Sequence, residues 1–323
     1  MAEDHPLRIV VALGGNALLR RGEPPEAARQ VRNIRAAARA LAPVAREHQV
    51  IVTHGNGPQV GFLALQSEGQ GEAGRYPLDL LGAQTQGMIG YMIEDELRDE
   101  LGGGREVATL LTEVVVDAGD PAFAHPTKPV GPTYDAMEAG RLARERGWRV
   151  GPDGSRWRRL VPSPEPLRIV EIHAIRLLVE AGVVVVCAGG GGVPVVKDEA
   201  GGLRGVEAVI DKDLSAALLA SELRADALLM LTDVDAVYEG WGTAAARPIA
   251  RASPRMLRGM TFAAGSMAPK VEAACRFVEA AAPGSLFVST DRVIGRRFAA
   301  IGALTDVAAV LRGEEGTRVE ADP

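Results

Sequence analysis

The chain has 323 residues, of which 47% are hydrophobic and 24% charged, and its formal net charge is −6. This is a soluble globular balance sufficient for one or two domains, and the acidic sign speaks against a dedicated binder of nucleic acid or anionic membrane. Two cysteines make no disulfide framework, MAEDHPLRIV lacks the regions of a secretory signal, and no apolar run reaches the roughly 18 residues of a membrane span; the expected location is the cytoplasm.

In chain order, short runs rich in Val, Ile and Leu predict strands at Arg8–Leu13, Gln49–Thr53, Glu106–Val116, Val183–Ala188, Ala227–Thr232 and Ser285–Thr290. Helical patterns lie between them, over about 25–47, 57–68, 79–101, 171–181, 212–224, 267–282 and 292–300. Strands followed by helices, with the strands apolar throughout, predict an α/β fold with a mainly parallel sheet buried on both faces. Residues 117–166 break the rhythm with eight prolines and with Trp148 and Trp157, and read as an inserted flap or small subdomain. DEAGGLRGV, residues 198–206, reads as a turn or hairpin and a weaker boundary.

Ligands of open parallel sheets bind beyond the carboxyl ends of the strands, and three glycine clusters fall there. VALGGNALL carries Gly14, Gly15 and Asn16; VTHGNGPQVG carries Gly55, Asn56 and Gly57; VVVVCAGGGGVPVV carries Gly189 to Gly192. A glycine after a strand is also an ordinary tight turn. Three clusters in one chain, two of them holding two of its three asparagines, point to an anion site. The pattern matches neither a Walker A loop nor a dinucleotide fingerprint. Gly190 and Gly191 are expected to bring bare backbone close to phosphoryl groups. His54 is expected to hold a backbone turn.

Only four of the 36 basic residues are lysine: Lys128, Lys197, Lys212 and Lys270. Where positive charge is otherwise written as arginine, a lysine marks a place that needs a compact ammonium. Lys212 and Lys270 fall in predicted first helical turns, where a cation opposes the helix dipole unless it faces a bound anion. Lys128 lies between prolines in the flap, and Lys197 reads as plain surface. Phosphoryl transfer needs positioning and charge neutralisation more than covalent chemistry, and an acceptor that is already an anion needs no general base. Asp213 is the candidate to orient the lysines, although Asp211 or Asp213 could equally serve as a helix cap.

Together VALGGNAL, VTHGNGPQVG, PLDLLGAQTQGMIGY, TKPVGPTY, RRLVPSPEPLRIVE, CAGGGGVPVV, GVEAVIDKDLSAALLA, LTDVDAVY and GSMAPKVEA, over roughly residues 7–319, resemble the amino-acid kinase superfamily and within it the carbamate kinase family. Most of the superfamily is similar in placing a lysine on the first strand, two residues before the paired glycines; here that position is Ala12, and Lys128 in T-K-P matches the flap lysine of the carbamate kinase branch. The resemblance implies an αβα sandwich with a small projecting subdomain, a homodimer, and reversible Mg²⁺-dependent transfer between ATP and carbamate giving ADP and carbamoyl phosphate, directly and in line. Lys128, Lys212 and Lys270 would neutralise the moving phosphoryl group, with Asp213 organising them. Gly14, Gly15, Asn16, Gly55, Asn56 and Gly57 would hold the acceptor or the transferred phosphate. LTDVDAVY would help form the nucleotide pocket through Thr232, Asp233, Val234 and Tyr238. Residues 1–205, with the insert at about 117–166, would be the acceptor lobe, and 206–323 the nucleotide lobe. The direct Mg²⁺ ligands are not assigned. STDRVIGRRFAAIG, residues 289–302, departs from the family's closing helix.

Three rivals remain at this level. Another superfamily kinase acting on a carboxylate or phosphonate is weakened by Ala12, and a nucleotide-binding regulator without turnover by the retention of three lysines and Asp213. The arginine- and tryptophan-rich stretch at 140–159 could offer a nucleic-acid surface, against which stands the acidic whole.

Overall fold

The computed structural model describes residues 6–19, 23, 26–68, 76–262, 266–280 and 297–321. Strand β1 (Arg8–Leu13) leads through helix α1 (Ala27–Glu47) to β2 (Gln49–His54), followed by α2 (Gly57–Glu68) and α3 (Leu78–Leu101). Next come β3 (Val107–Thr109), β4 (Glu113–Val115), β5 (Lys128–Tyr134), α4 (Ala136–Arg146), β6 (Arg149–Asp153), β7 (Arg156–Val161) and β8 (Arg168–Ile169). The middle of the chain adds α5 (Ile172–Glu180), β9 (Val184–Val186), β10 (Val193–Lys197), β11 (Leu203–Gly205), α6 (Lys212–Glu222) and β12 (Ala227–Thr232). The rest holds β13 (Val237–Glu239), β14 (Arg247–Ile249), β15 (Arg251–Ala252), α7 (Met267–Glu279), β16 (Phe298–Ala303), α8 (Val307–Arg312) and β17 (Thr317–Glu320).

Eight strands form one sheet in the order β15-β17-β16-β12-β1-β2-β9-β3. β17 runs antiparallel to β16 and parallel to β15; the other neighbours are parallel. Successive residues point to opposite faces of a strand, and here both faces are covered. Val10, Ile51, Leu228 and Met230 pack toward α5, α6 and α7, whereas Ile9, Val11, Val52 and Leu229 pack toward α1, α3 and α8. This αβα layering explains why the strands are not amphipathic. With 4% aromatic residues the core is mainly aliphatic, each fully buried Val, Leu or Ile contributing about 1.5–3 kcal/mol of transfer free energy. Among the described residues no helix is long and apolar enough to cross a membrane.

Two sequence expectations are corrected. Glu106–Val116 is not one strand: β3 belongs to the large sheet and β4 to a second, four-stranded one, β11-β10-β4-β8. Buried Thr112 makes the crossing, its N–H donating to Gln86 Oε1 (2.9 Å) and its carbonyl accepting from Gln86 Nε2 (3.0 Å) and Val193 N–H (2.9 Å). The end of the helix expected at 292–300 is strand instead. Phe298–Ala303 pairs with both β12 and β17, and the close approach of Gly302 to Val310 and Gly316 suits a core strand under a helix. The strand expected at Ser285–Thr290 and most of the divergent 289–302 stretch lie outside the described residues.

Residues 128–161 form a separate antiparallel sheet, β5-β7-β6, joined by α4. Trp148 is its small core, buried beneath the guanidinium groups of Arg146 and Arg159 at 5.1 and 4.9 Å from the ring centroid. At its base Val130 and Val161 pack with Val60, Leu78 and Leu81. The backbones of α2 and β5 touch where a Cβ on Gly61 would fall 2.7 Å from Gly131 Cα. Several flap arginines have acidic partners: Arg141 with Glu138 and Glu145, Arg158 with Asp153, and Arg159 with Glu207. Such neutralised pairs make a poor phosphate track.

Candidate active site

β12, β1 and β2 lie side by side and parallel, so their carboxyl ends open at one edge. The turn after β1 is tied across the strands by Gly14 N–H to the Leu231 carbonyl (2.9 Å), and the turn after β2 by Gly55 N–H to the Leu13 carbonyl (3.0 Å). A Cβ on Gly55 would lie 3.0 Å from Gly15 N and 3.3 Å from Lys212 Cδ, so the two glycine turns meet each other and a lysine. At Gly15 and Gly57, open space among the described residues faces the missing side chain. His54 is buried, and its Nδ1–H donates to the Gly55 carbonyl (3.0 Å). Burial pushes its pKa down to about 4, against the opposing hydrogen bond, so it is a neutral brace for the turn. Asn56 is also buried and donates through Nδ2 to Thr85 Oγ1 (2.8 Å). The backbone of Asn16 lies in the first turn; its side chain lies outside the described set.

The lysines arrive from three elements. Lys212 opens α6, Lys270 sits in the first turn of α7, and Lys128 begins β5 in the flap. Lys212 Nζ and Lys270 Nζ both donate to Asp213 Oδ2, at 3.2 and 3.1 Å. Lys128 Nζ donates to Asp211 Oδ2 at 2.6 Å. Asp213 and Lys270 are 2% and 7% exposed, which only mutual pairing makes tolerable. Three ammonium groups face two carboxylates at a helix N-terminus, leaving an excess of positive charge for an anion.

Burial depresses Lys212, but Asp213 and Asp211 more than offset it, and its pKa lies above the ordinary value. For Lys270, burial and the neighbouring Lys212 outweigh Asp213, and its pKa lies below. An arriving phosphoryl group would relieve both costs. Asp211 is pushed up by burial and pulled further down by Lys128, Lys212 and the N–H of Asp213, ending below the usual carboxylate range. Ala12, at the place of the first-strand lysine common in the superfamily, is 3% exposed in mid-sheet.

Lys212, Lys270, Gly14 and Gly15 line a cleft of about 300 Å³ together with Thr232, Asp233 and Val234. Its lining also includes apolar and aromatic side chains: Tyr238, Trp241, Phe262 and Met267. The Tyr238 and Trp241 rings meet edge to face at 5.1 Å, and Tyr238 Oη donates to both Asp235 oxygens. Cationic and aromatic groups lining one cleft suit a molecule that carries both phosphates and a flat ring. Trp241, Phe262 and Met267 were not singled out in the sequence. The signal available was the scarcity of aromatics and the glycine-flanked tryptophan in YEGWG.

Gly190 and Gly191 do not line this cleft. Gly190, at φ +67°, packs so closely on Asn56 that a Cβ would fall 2.1 Å from Nδ2. Gly191, at φ +97°, would meet the Ile210 carbonyl at 2.7 Å, and Gly189 and Gly192 would meet His54 and Val114 at 2.3 Å. The tetrad therefore admits neighbouring groups of the protein itself, holding Asn56 and the run into α6 from behind. Asp211 was visible in the sequence only as a cap; its pairing with a lysine 83 residues away was not. Lys197 is exposed at the end of β10.

Comparison with known proteins agrees with this geometry. The profile of the Amino acid kinase family matches residues 7–289. The curated carbamate kinase of Rhizobium meliloti is 53% identical over 98% of this chain and 94% of its own length, and that of Haemophilus influenzae 48% identical over 97% and 96%. The solved carbamate kinase of Giardia lamblia bound to AMP-PNP superposes with a TM-score of 0.86 at 36% identity, covering 98% of this chain and 99% of that one. Likeness of this extent, over a chain whose Lys212 and Lys270 gather on buried Asp213 at the strand ends, shows that it is a phosphotransferase belonging to the amino acid kinase family, on the carbamate kinase branch.

Proposed function

We propose that the chain moves a phosphoryl group reversibly between ATP and carbamate, giving ADP and carbamoyl phosphate by direct in-line displacement. The observation that carries this reading is Asp213 Oδ2 holding Lys212 and Lys270 together where the two glycine turns meet the cleft. A carbamate oxygen is already anionic, so no group need remove a proton from it. Its bond to the γ-phosphorus forms as the bond to the β–γ bridging oxygen breaks, and ADP leaves with the electron pair. Lys270 and Lys212 would carry the charge passing between the oxygens, and Lys128 would meet it from the flap. The turns at Gly14–Gly15 and Gly55–Gly57 would seat the acceptor or the transferred phosphate. Thr232, Asp233, Val234 and Tyr238 would line the nucleotide. Neutral His54 takes no part in proton transfer on this reading.

Magnesium fits as part of the nucleotide substrate. Among the described residues no group of three His, Cys, Asp or Glu side chains could hold a metal, and the carboxylates of Asp211 and Asp213 are occupied by lysines and a helix start. A cation that keeps several waters and binds phosphates needs no protein cage. We read residues 1–205 as the acceptor half, 117–166 as its projecting insert, and 206–323 as the nucleotide half. A homodimer is supported by Leu80, Met88 and Tyr91, left exposed on α3.

Purified protein given ADP, Mg²⁺ and carbamoyl phosphate should generate ATP in a coupled assay. A folded sample that makes none, but accepts another acyl phosphate, would overturn the assignment. Lys128→Ala should lower kcat about 100-fold or more while nucleotide binding holds.

A further inference from the structure

The flap meets the run 207–211 three times. Arg159 Nη2 reaches Glu207 at 3.3 Å, Val209 N–H donates to the Pro162 carbonyl at 3.0 Å, and Lys128 Nζ donates to Asp211 at 2.6 Å. The first two fasten the root of the flap. The third is at the reacting end, because Asp211 immediately precedes Lys212 and Asp213.

The Asp211 carboxylate is divided between two tasks. Oδ1 accepts from the N–H groups of Asp213 (2.9 Å) and Leu214 (3.4 Å), closing the start of α6, while Oδ2 takes Lys128. The side chain is 16% exposed and Lys128 28%, so the pair stands at the margin of the site, within reach of an entering anion. An ammonium has three donors. One can remain on Asp211 while the others turn to a phosphoryl oxygen. Without that hold, a long flexible stem on a separate sheet has no fixed place relative to Lys212 and Lys270.

We propose that Asp211 is a positioning residue for the transfer. Through one carboxylate it sets the flap lysine at a fixed distance from the lysine pair on α6 and α7, and so decides whether the three ammonium groups act on one phosphoryl group together. This rests on the reading of Lys128 as a charge-neutralising group. Capping alone would leave turnover nearly unchanged when another capping residue is substituted, and a parked, inhibitory pair would make turnover rise.

The test uses the full chain with Asp211→Asn and Asp211→Ser, both strong N-caps that lack the negative charge. Circular dichroism should stay at wild type, and the melting temperature should fall only by the stabilisation that the ionised carboxylate contributes. In the ATP-forming assay kcat should fall about 10- to 100-fold, with KM for ADP within about twofold. In a Lys128→Ala background the same substitutions should change kcat by less than about twofold, because the group being positioned is gone. Turnover of Asp211→Asn equal to or above wild type would overturn the proposal, as would losses that multiply in the double variant. Failure of both variants to fold would assign the carboxylate to structure instead. A wild type that makes no ATP removes the functional reading and this one with it; an active wild type with an indifferent Asp211→Asn removes this one alone.

Discussion

Gly190→Ala tests the reason for the glycine tetrad. Gly190 has φ +67°, where an L side chain is strained by about 1–2 kcal/mol, and the new methyl would lie 2.1 Å from Asn56 Nδ2 and 2.3 Å from its Cγ. Asn56 cannot simply swing aside, because it is buried and donates to Thr85 at 2.8 Å. Overpacking of this kind adds about 1–3 kcal/mol. The sum, roughly 2–5 kcal/mol, corresponds to a loss of about 3–7 °C in Tm for a chain of 323 residues. Gly201→Ala is the control: its φ is +85°, but nothing lies within 4 Å of its missing Cβ, so only the conformational part should appear. Gly190→Ala combined with Asn56→Gly should recover most of the difference. Scanning calorimetry on the four proteins measures each value. Equal losses for Gly190→Ala and Gly201→Ala, or no recovery in the double variant, would refute the packing account of the tetrad.

Acid should weaken the fold in two steps. The pKa of His54 falls to about 4 from 6.5, so between those values the unfolded chain binds a proton that the native state refuses. Stability should decline as pH falls through that window, by at most roughly 3 kcal/mol, and His54→Gln should flatten the slope of urea-derived stability there; parallel slopes would contradict it. The stabilisation from ionised Asp211 is present above the ordinary carboxylate value of 3.8 and should be lost only as pH falls below that, through its lower folded pKa. Trp241→Ala should raise KM for ADP about tenfold with little change in kcat, through lost stacking in the cleft. An unchanged KM would move the nucleotide ring elsewhere.

Much of the layered sheet was legible because its signal is local. β1 and β12 begin and end where their apolar runs do, and α3 closes at Gly102 in the left-handed conformation (φ +63°) expected of a helix-ending glycine. Periodicity failed where tertiary contacts decide. Thr112 redirects an apolar run from one sheet to another through a side chain 26 residues earlier, and FAAIG reads as helix or strand until its neighbours are known. In the candidate site, the rarity of lysine drew attention to the three that converge, and Asp213 followed from the chemistry lysines need. The Lys128–Asp211 pair had no local trace, since it joins the flap to α6. The tetrad is ambiguous for a related reason: glycine shows that something comes close, but not whether it is a ligand or an asparagine of the same chain.

The place of β1 in the sheet has a consequence for how the molecule comes apart. From Ile9 opposite Ala227 to Leu13 opposite Leu231, the halves proposed above to hold acceptor and nucleotide are joined by a parallel hydrogen-bonded ladder of residues buried on both faces. The seam is therefore the middle of a core, with no linker across which one half could melt while the other stayed intact. Either half made alone would present a fully apolar edge, β1 or β12, to any strand it met. Cooperative unfolding and insoluble half-chains are two outcomes of one strand order.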